Sequence, residues 1–184
     1  MATGATIYRA ELSVADMDRG YYADHSLTIA RHPSETEERL MMRLLAFAVH
    51  AAEDLQFGRG ISTDDEPDLW RRDLTGLIEL WIDVGLPEEK RLRKACGRAR
   101  RVVVLAYGAA KADQWWKRNA PDLSRLENLA VLAVPPAAGA ALAAMAGRSM
   151  RLTVTLQDAQ IWIGSDARET SLQLEVLKAW PTVA

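Results

Sequence analysis

The sequence predicts a mixed α/β fold. Alternating apolar and polar residues mark strands at both ends of the chain, and apolar residues recur at helical spacing after residue 34. A continuous apolar run, Val102-Val103-Val104-Leu105-Ala106-Tyr107, has the character of a strand covered on both faces. The 184 residues fit one domain, spanning 1–184, and a chain of this size buries about 70% of its unfolded surface. Hydrophobic residues at 49% and charged residues at 26% exclude a disordered chain. A formal net charge of −2 argues against a protein that coats nucleic acid by overall charge and leaves room for local patches.

Residues 6–14 and 21–31 read as strands, joined by a polar turn at 15–20. His32, Pro33 and Ser34 break the second strand. Ser34 and Glu37 have capping-box spacing, which predicts a helix start. Leu40, Leu44, Ala48, Ala51 and Leu55 carry its apolar stripe, so the helix is expected to end only before Gly58 and Gly60. An acidic loop follows at 63–68, then a short extended piece at 69–72 and a strong strand at 77–84. Gly85 ends that strand, and Pro87, Glu88 and Glu89 open a helix running to about Arg98. After the strand at 102–107 come a helix over 109–117, a strand near 129–134 and an alanine-rich helix. The tail, at 151–156, 160–164 and 171–177, reads as antiparallel strands joined by turns. The mixed unit helix–strand–strand–helix–strand thus occupies residues 34–107 and is flanked by antiparallel strands.

Cys96 is the only cysteine, so no intramolecular disulfide can form, which suits a reducing cytoplasm. The N-terminus lacks a basic region followed by an apolar one, so it is not read as a secretory signal. Residues 129–147 are nearly uncharged, yet Pro135 and Pro136 divide them, and no membrane span is expected. His25 and His32 lie seven residues apart without any HxxxH spacing, which argues against a histidine-ligated zinc. Trp115 and Trp116 read as packing residues rather than base-stacking platforms.

Chemistry concentrates in the middle third. Strand 77–84 carries Glu79, Trp81 and Asp83 on one face and Ile78, Leu80, Ile82 and Val84 on the other. Two acids on one face of a strand that looks buried need arginines, amides or a metal to offset their desolvation. They stand roughly 13 Å apart at about 3.3 Å per residue, so both cannot grip one ion. Asp68, after Pro67 at the start of the extended piece, is a further candidate. Glu38 lies at the edge of the apolar stripe, where it either points toward the sheet or pairs with Arg39 or Arg43 on the rim. Glu35 and Glu37 read as first-turn dipole or capping acids. Trp81, between two acids, is placed to wall a cleft. Lys90, Arg91, Arg93 and Lys94 follow the strand directly and offer positive charge to a phosphate backbone, or form a solvated helix face.

The stretches ADHSLTIARHPSETEERLMMRLLAFA, STDDEPDLW, IELWIDVGLPEEKRLRKACGRA and VVVLAYG resemble the YaeQ family over most of residues 1–118, and LQDAQIWI extends the likeness into the tail. The family is regarded as a variant of the PD-(D/E)XK nuclease superfamily. The resemblance implies a restriction-endonuclease-like core of helix, three strands, helix and strand at about residues 34–118, with metal-binding acids on its first helix and on its second and third strands. Pro67-Asp68 then matches the PD step and Glu38 the first-helix acid. The (D/E)XK element fits two registers, Glu79-Leu80-Trp81 or Asp83-Val84-Gly85, and neither supplies the lysine that normally steadies the phosphate. A lysine displaced onto the next helix, Lys94, is the implied substitute. Helical phase, with Leu92, Ala95 and Ala99 toward the core, instead sets Lys90 and Lys94 outward and favours Arg91 or Arg93.

The expectation is therefore a nuclease-like protein acting on nucleic acid, with Mg²⁺ or Mn²⁺ held by Asp68 and by Glu79 or Asp83, assisted by Glu38 and Lys94. The alternatives are a catalytically inactive nucleic-acid- or protein-binding module linked to transcription, and a protein for another phosphorylated ligand. Oligomeric state is not legible in the sequence.

Overall fold

A computed structural model describes residues 4–59 and 65–181. The elements run β1 (Thr6–Asp16), β2 (Tyr21–Arg31), α1 (Glu37–Val49), β3 (Gln56–Phe57), β4 (Leu69–Arg72), β5 (Ile78–Val84), α2 (Glu89–Cys96) and β6 (Ala99–Ala106). They continue with α3 (Ala110–Leu123), β7 (Leu129–Ala133), α4 (Pro136–Ala143), β8 (Ser149–Gln157), β9 (Gln160–Ser165), β10 (Glu169–Gln173) and β11 (Glu175–Lys178).

These strands form two sheets. One has the order β10-β9-β8-β1-β2, antiparallel except where β1 meets β8 in parallel. The other has the order β11-β7-β6-β5-β4-β3, with β5, β6 and β7 parallel and the remaining pairs antiparallel. The two ends of the chain thus build one sheet together, through a parallel β1–β8 pairing that local alternation does not encode.

Helix α1 lies between the sheets. Leu40 through Ala48 are all buried, so the helix is covered on every side rather than along one stripe. Its neighbours come from the first sheet (Leu12, Leu152, Ile163) and from the second (Ile82, Val103). The far face of the second sheet is covered by α2 and α3, where Leu92, Ala95, Ala112 and Leu123 pack with Trp81, Val102 and Val104. Alternate residues of the apolar β6 run therefore serve opposite cores, Val103 and Leu105 toward α1, Val102 and Val104 toward α2 and α3.

Several boundaries differ from expectation. Thr36, not Ser34, caps α1, its hydroxyl accepting from Arg39 N at 3.1 Å, while Ser34 Oγ lies 2.7 Å from His32 Nδ1. The helix stops at Val49, although Ala51 and Leu55 stay buried in the following loop. Apolar periodicity records burial, and a packed loop sustains it as well as a helix does. Strand β3 is only two residues long and falls in what reads as helix end. Helix α3 runs on to Leu123. The expected strand at 171–177 is two strands, β10 pairing with β9 in one sheet and β11 crossing to β7 in the other. Residues 129–147 form β7 and α4, and among the described residues no helix is long and apolar enough to cross a membrane. Residues 60, 63 and 64, named above in the helix-end and acidic-loop readings, lie outside the described residues.

Candidate functional site

The parallel strands β5, β6 and β7 end on one edge of the second sheet, where open α/β sheets generally place their ligands. Strand β4 runs antiparallel to β5, with Leu69 opposite Ile82, so the residue before it, Asp68, arrives beside the end of β5. The approach is tight. Gly58 N donates to Asp68 O at 2.9 Å, and a methyl group on Gly58 would overlap the Pro67 carbonyl. Glycine at 58 is what allows the loop to lie there.

Asp68 is buried and fully engaged. Its Oδ2 accepts from Val84 N at 2.7 Å, and its Oδ1 accepts from Arg39 Nη2 at 2.7 Å. Arg39 Nη1 donates to Glu35 Oε1 at 3.0 Å, and Arg43 Nη1 donates to both Glu35 oxygens, at 3.1 and 3.2 Å. Glu35 and Arg43 are 3% and 2% exposed. A charge chain Arg43–Glu35–Arg39–Asp68 therefore leads from the core to the sheet edge. Glu35 is a buried ion-pair residue, which corrects its reading as a capping acid. Glu37 does occupy the first turn, where it accepts from the Tyr8 hydroxyl at 3.5 Å.

Asp83 is 2% exposed, on the sheet face opposite α1. Arg91 grips it with two parallel bonds, Nε to Oδ2 at 2.8 Å and Nη2 to Oδ1 at 2.9 Å, and Nη2 also donates to Glu66 O at 2.8 Å. Such a fork fixes guanidinium orientation as well as charge. Burial raises the Asp83 carboxyl above its ordinary range, Arg91 opposes the rise, and the nearby Asp68 charge adds to it. Trp81 is core, 2% exposed, with the Arg98 and Arg91 guanidiniums 5.4 and 5.7 Å from its ring centre; it packs beneath the arginines instead of walling a cleft.

Glu79 sits toward the other end of β5. It is half-buried and accepts from Arg71 Nη2 at 3.0 Å, with Arg100 Nη1 at 3.6 Å. Lys94 is on the exposed face of α2, joined to Asp65, and Arg93 pairs with Glu89. Of the basic residues on α2, Arg91 is the one that reaches a strand acid, as helical phase favours. Glu38 lines a separate crevice with Tyr107, Gly108 and Gly139. The structure thus brings Asp68 and Asp83 into electrostatic reach of each other and leaves Glu79, Glu38 and Lys94 apart from that pair.

A hard cation fits this arrangement poorly. Guanidiniums and a backbone amide already occupy the oxygens of Asp68 and Asp83, and among the described residues no group of three or more His, Cys, Asp or Glu is placed to hold a metal. What the site does present is a groove lined by basic side chains, of which Arg91 and Lys94 are each paired with an aspartate. Leu86, Pro87, Glu88, Lys90, Arg91 and Lys94 line a depression of about 800 Å³. The spacing Glu35-x₃-Arg39-x₃-Arg43 announces the charge chain in the sequence, since residues four apart share a helix face. That signal is obscured because Glu35 precedes the helix it serves.

A family model described as YaeQ protein matches residues 1–174. The chain is 45% identical to the YaeQ protein of Escherichia coli (strain K12) over 95% of this chain and 96% of that one. It is 46% identical to the YaeQ protein of Salmonella typhi, with 98% of each covered. Crystal structures of YaeQ proteins superpose closely. That from Xanthomonas axonopodis pv. citri has a TM-score of 0.92 at 53% identity, covering 95% of this chain and 99% of that one. That from Pseudomonas syringae has a TM-score of 0.90 at 38% identity, covering 95% and 97%. The chain belongs to the YaeQ family.

Proposed function

We propose that this chain is a nuclease-like fold that binds nucleic acid, with its strand acids positioning arginines. The succession α1, β3, β4, β5, α2, β6 repeats the helix–three strands–helix–strand order of the restriction-endonuclease-like core, which supports a place among PD-(D/E)XK variants. The Asp83–Arg91 fork carries the binding reading. It holds a guanidinium on the wall of the groove that Lys90 and Lys94 also line, and positive charge presented along a groove suits a phosphate backbone. Turnover with Mg²⁺ or Mn²⁺ would require the ion to take oxygens that Arg39 and Arg91 hold, so binding without cleavage is the better-supported reading.

Fluorescence anisotropy with labelled single-stranded and duplex DNA and RNA, in EDTA across a salt series, tests it. Binding whose logarithm falls linearly with log salt is expected, and addition of Mg²⁺ or Mn²⁺ leaves the oligonucleotides intact. Absence of binding to all four at low salt overturns the reading. Divalent-dependent cleavage that disappears in Asp68→Ala and Asp83→Ala would replace it with the nuclease.

A further inference from the structure

Glu38 differs from the other acids at this edge of the sheet. Glu35, Asp68 and Asp83 each have an arginine within ion-pair distance, whereas among the described residues Glu38 has no ion-pair partner. Its carboxylate lies against α4 at Gly139, where a methyl group would overlap Oε1. The crevice it lines measures about 250 Å³ and is completed by Tyr107, the Gly108–Ala109 turn, Val134, Pro135 and Pro136. Ala109 has φ 51° and ψ −119°, a strained conformation for any residue but glycine.

The lining selects a chemical class. One glutamate and one tyrosine line the crevice with valine and two prolines; the nearest positive charge acting on Tyr107, the Arg39 guanidinium, is already held by Glu35 and Asp68, so an anion finds no uncommitted counter-charge there. A hard divalent ion would find a single carboxylate where such ions usually take several oxygen ligands. An organic cation meets both needs, its charge against Glu38 and its methylenes against the apolar walls. The volume is just below the roughly 300–1,000 Å³ of pockets for drug-sized ligands, which limits the occupant to a smaller compound. We propose that the crevice between α1, α4 and the ends of β6 and β7 is a binding site for a small alkylammonium or guanidinium compound, held by Glu38 and the Tyr107 hydroxyl. The crevice shares no lining residue with the basic groove beside α2.

Titration of the isotopically labelled full chain with butylamine and agmatine, followed by amide shifts of Gly108, Ala109 and Gly139, tests the assignment. Saturable shifts are expected with either cation and not with butanol or butyrate. Glu38→Gln, nearly isosteric on a partly exposed side chain, should weaken binding about tenfold, and Tyr107→Phe should weaken it by a smaller factor. The proposal is overturned by an absence of saturable shifts, by equal shifts with butanol, or by affinity unchanged in Glu38→Gln. Magnesium chloride producing the same saturable shifts would also overturn it, in favour of a metal.

Discussion

Replacing Glu35 by glutamine removes one negative charge from the centre of the Arg43–Glu35–Arg39–Asp68 chain while keeping its shape. Arg43 is then left 2% exposed without a counter-charge, with the new amide oxygen, the Ala30 carbonyl at 3.1 Å and the Phe57 ring at 5.4 Å as neutral neighbours. Breaking a buried ion pair in this way costs about 3–5 kcal/mol, because the surviving charge stays desolvated. That is a large fraction of the roughly 5–15 kcal/mol that holds a typical domain folded. Urea unfolding followed by tryptophan fluorescence and circular dichroism should show the loss as a lower midpoint at unchanged slope. Adding Arg43→Met removes the stranded charge and replaces it with an apolar side chain of similar length. The double variant should therefore recover at least about 1 kcal/mol relative to Glu35→Gln. A loss below about 1 kcal/mol in Glu35→Gln, or a double variant no more stable than the single one, refutes the account of α1 as a helix anchored by buried charge.

Two other outcomes follow from local geometry. His50, which ends α1, is pushed down from its ordinary 6.5 to about 4, first by burial and then by the Arg19 guanidinium. The unfolded chain takes up this proton below about pH 6.5 and the folded one only near 4, so stability present above pH 6.5 is lost as pH falls between the two values. The loss is at most about 3 kcal/mol, and His50→Gln should flatten that limb of a pH–stability curve. Gly58→Ala drives a methyl into the Pro67 carbonyl, a backbone group that cannot rotate aside. It should lower stability by more than about 2 kcal/mol in thermal unfolding, and an unchanged midpoint would mean that the Asp68 loop sits elsewhere.

Much of the second sheet was legible because its signals are local. The alternation of 78–84, the double-sided apolar run of β6 and the Pro-Glu-Glu opening of α2 each announce their element. The parallel β1–β8 pairing, the crossing of β11 and the two-residue β3 depend on partners remote in sequence, and no window around them contains that information. Within the candidate site, the strand face shared by Glu79, Trp81 and Asp83 follows from period two, and the reach of Arg91 toward the strand follows from helical phase. The pairing of Asp68 with Arg39, 29 residues away, does not. Glu35 lies two residues before α1 and still shares its Arg39–Arg43 face, so its role emerges only once Thr36 is known to be the cap.

The anisotropy of a labelled oligonucleotide in EDTA, compared between the native chain and Asp83→Asn, tests the central claim most directly. If Asp83 orients Arg91 on the groove wall, removing this negative charge weakens binding by about 3–10-fold and reduces the salt slope by about 1. If Asp83 is merely an acid beside a basic surface, the same substitution strengthens binding. An affinity that rises or stays unchanged contradicts the account.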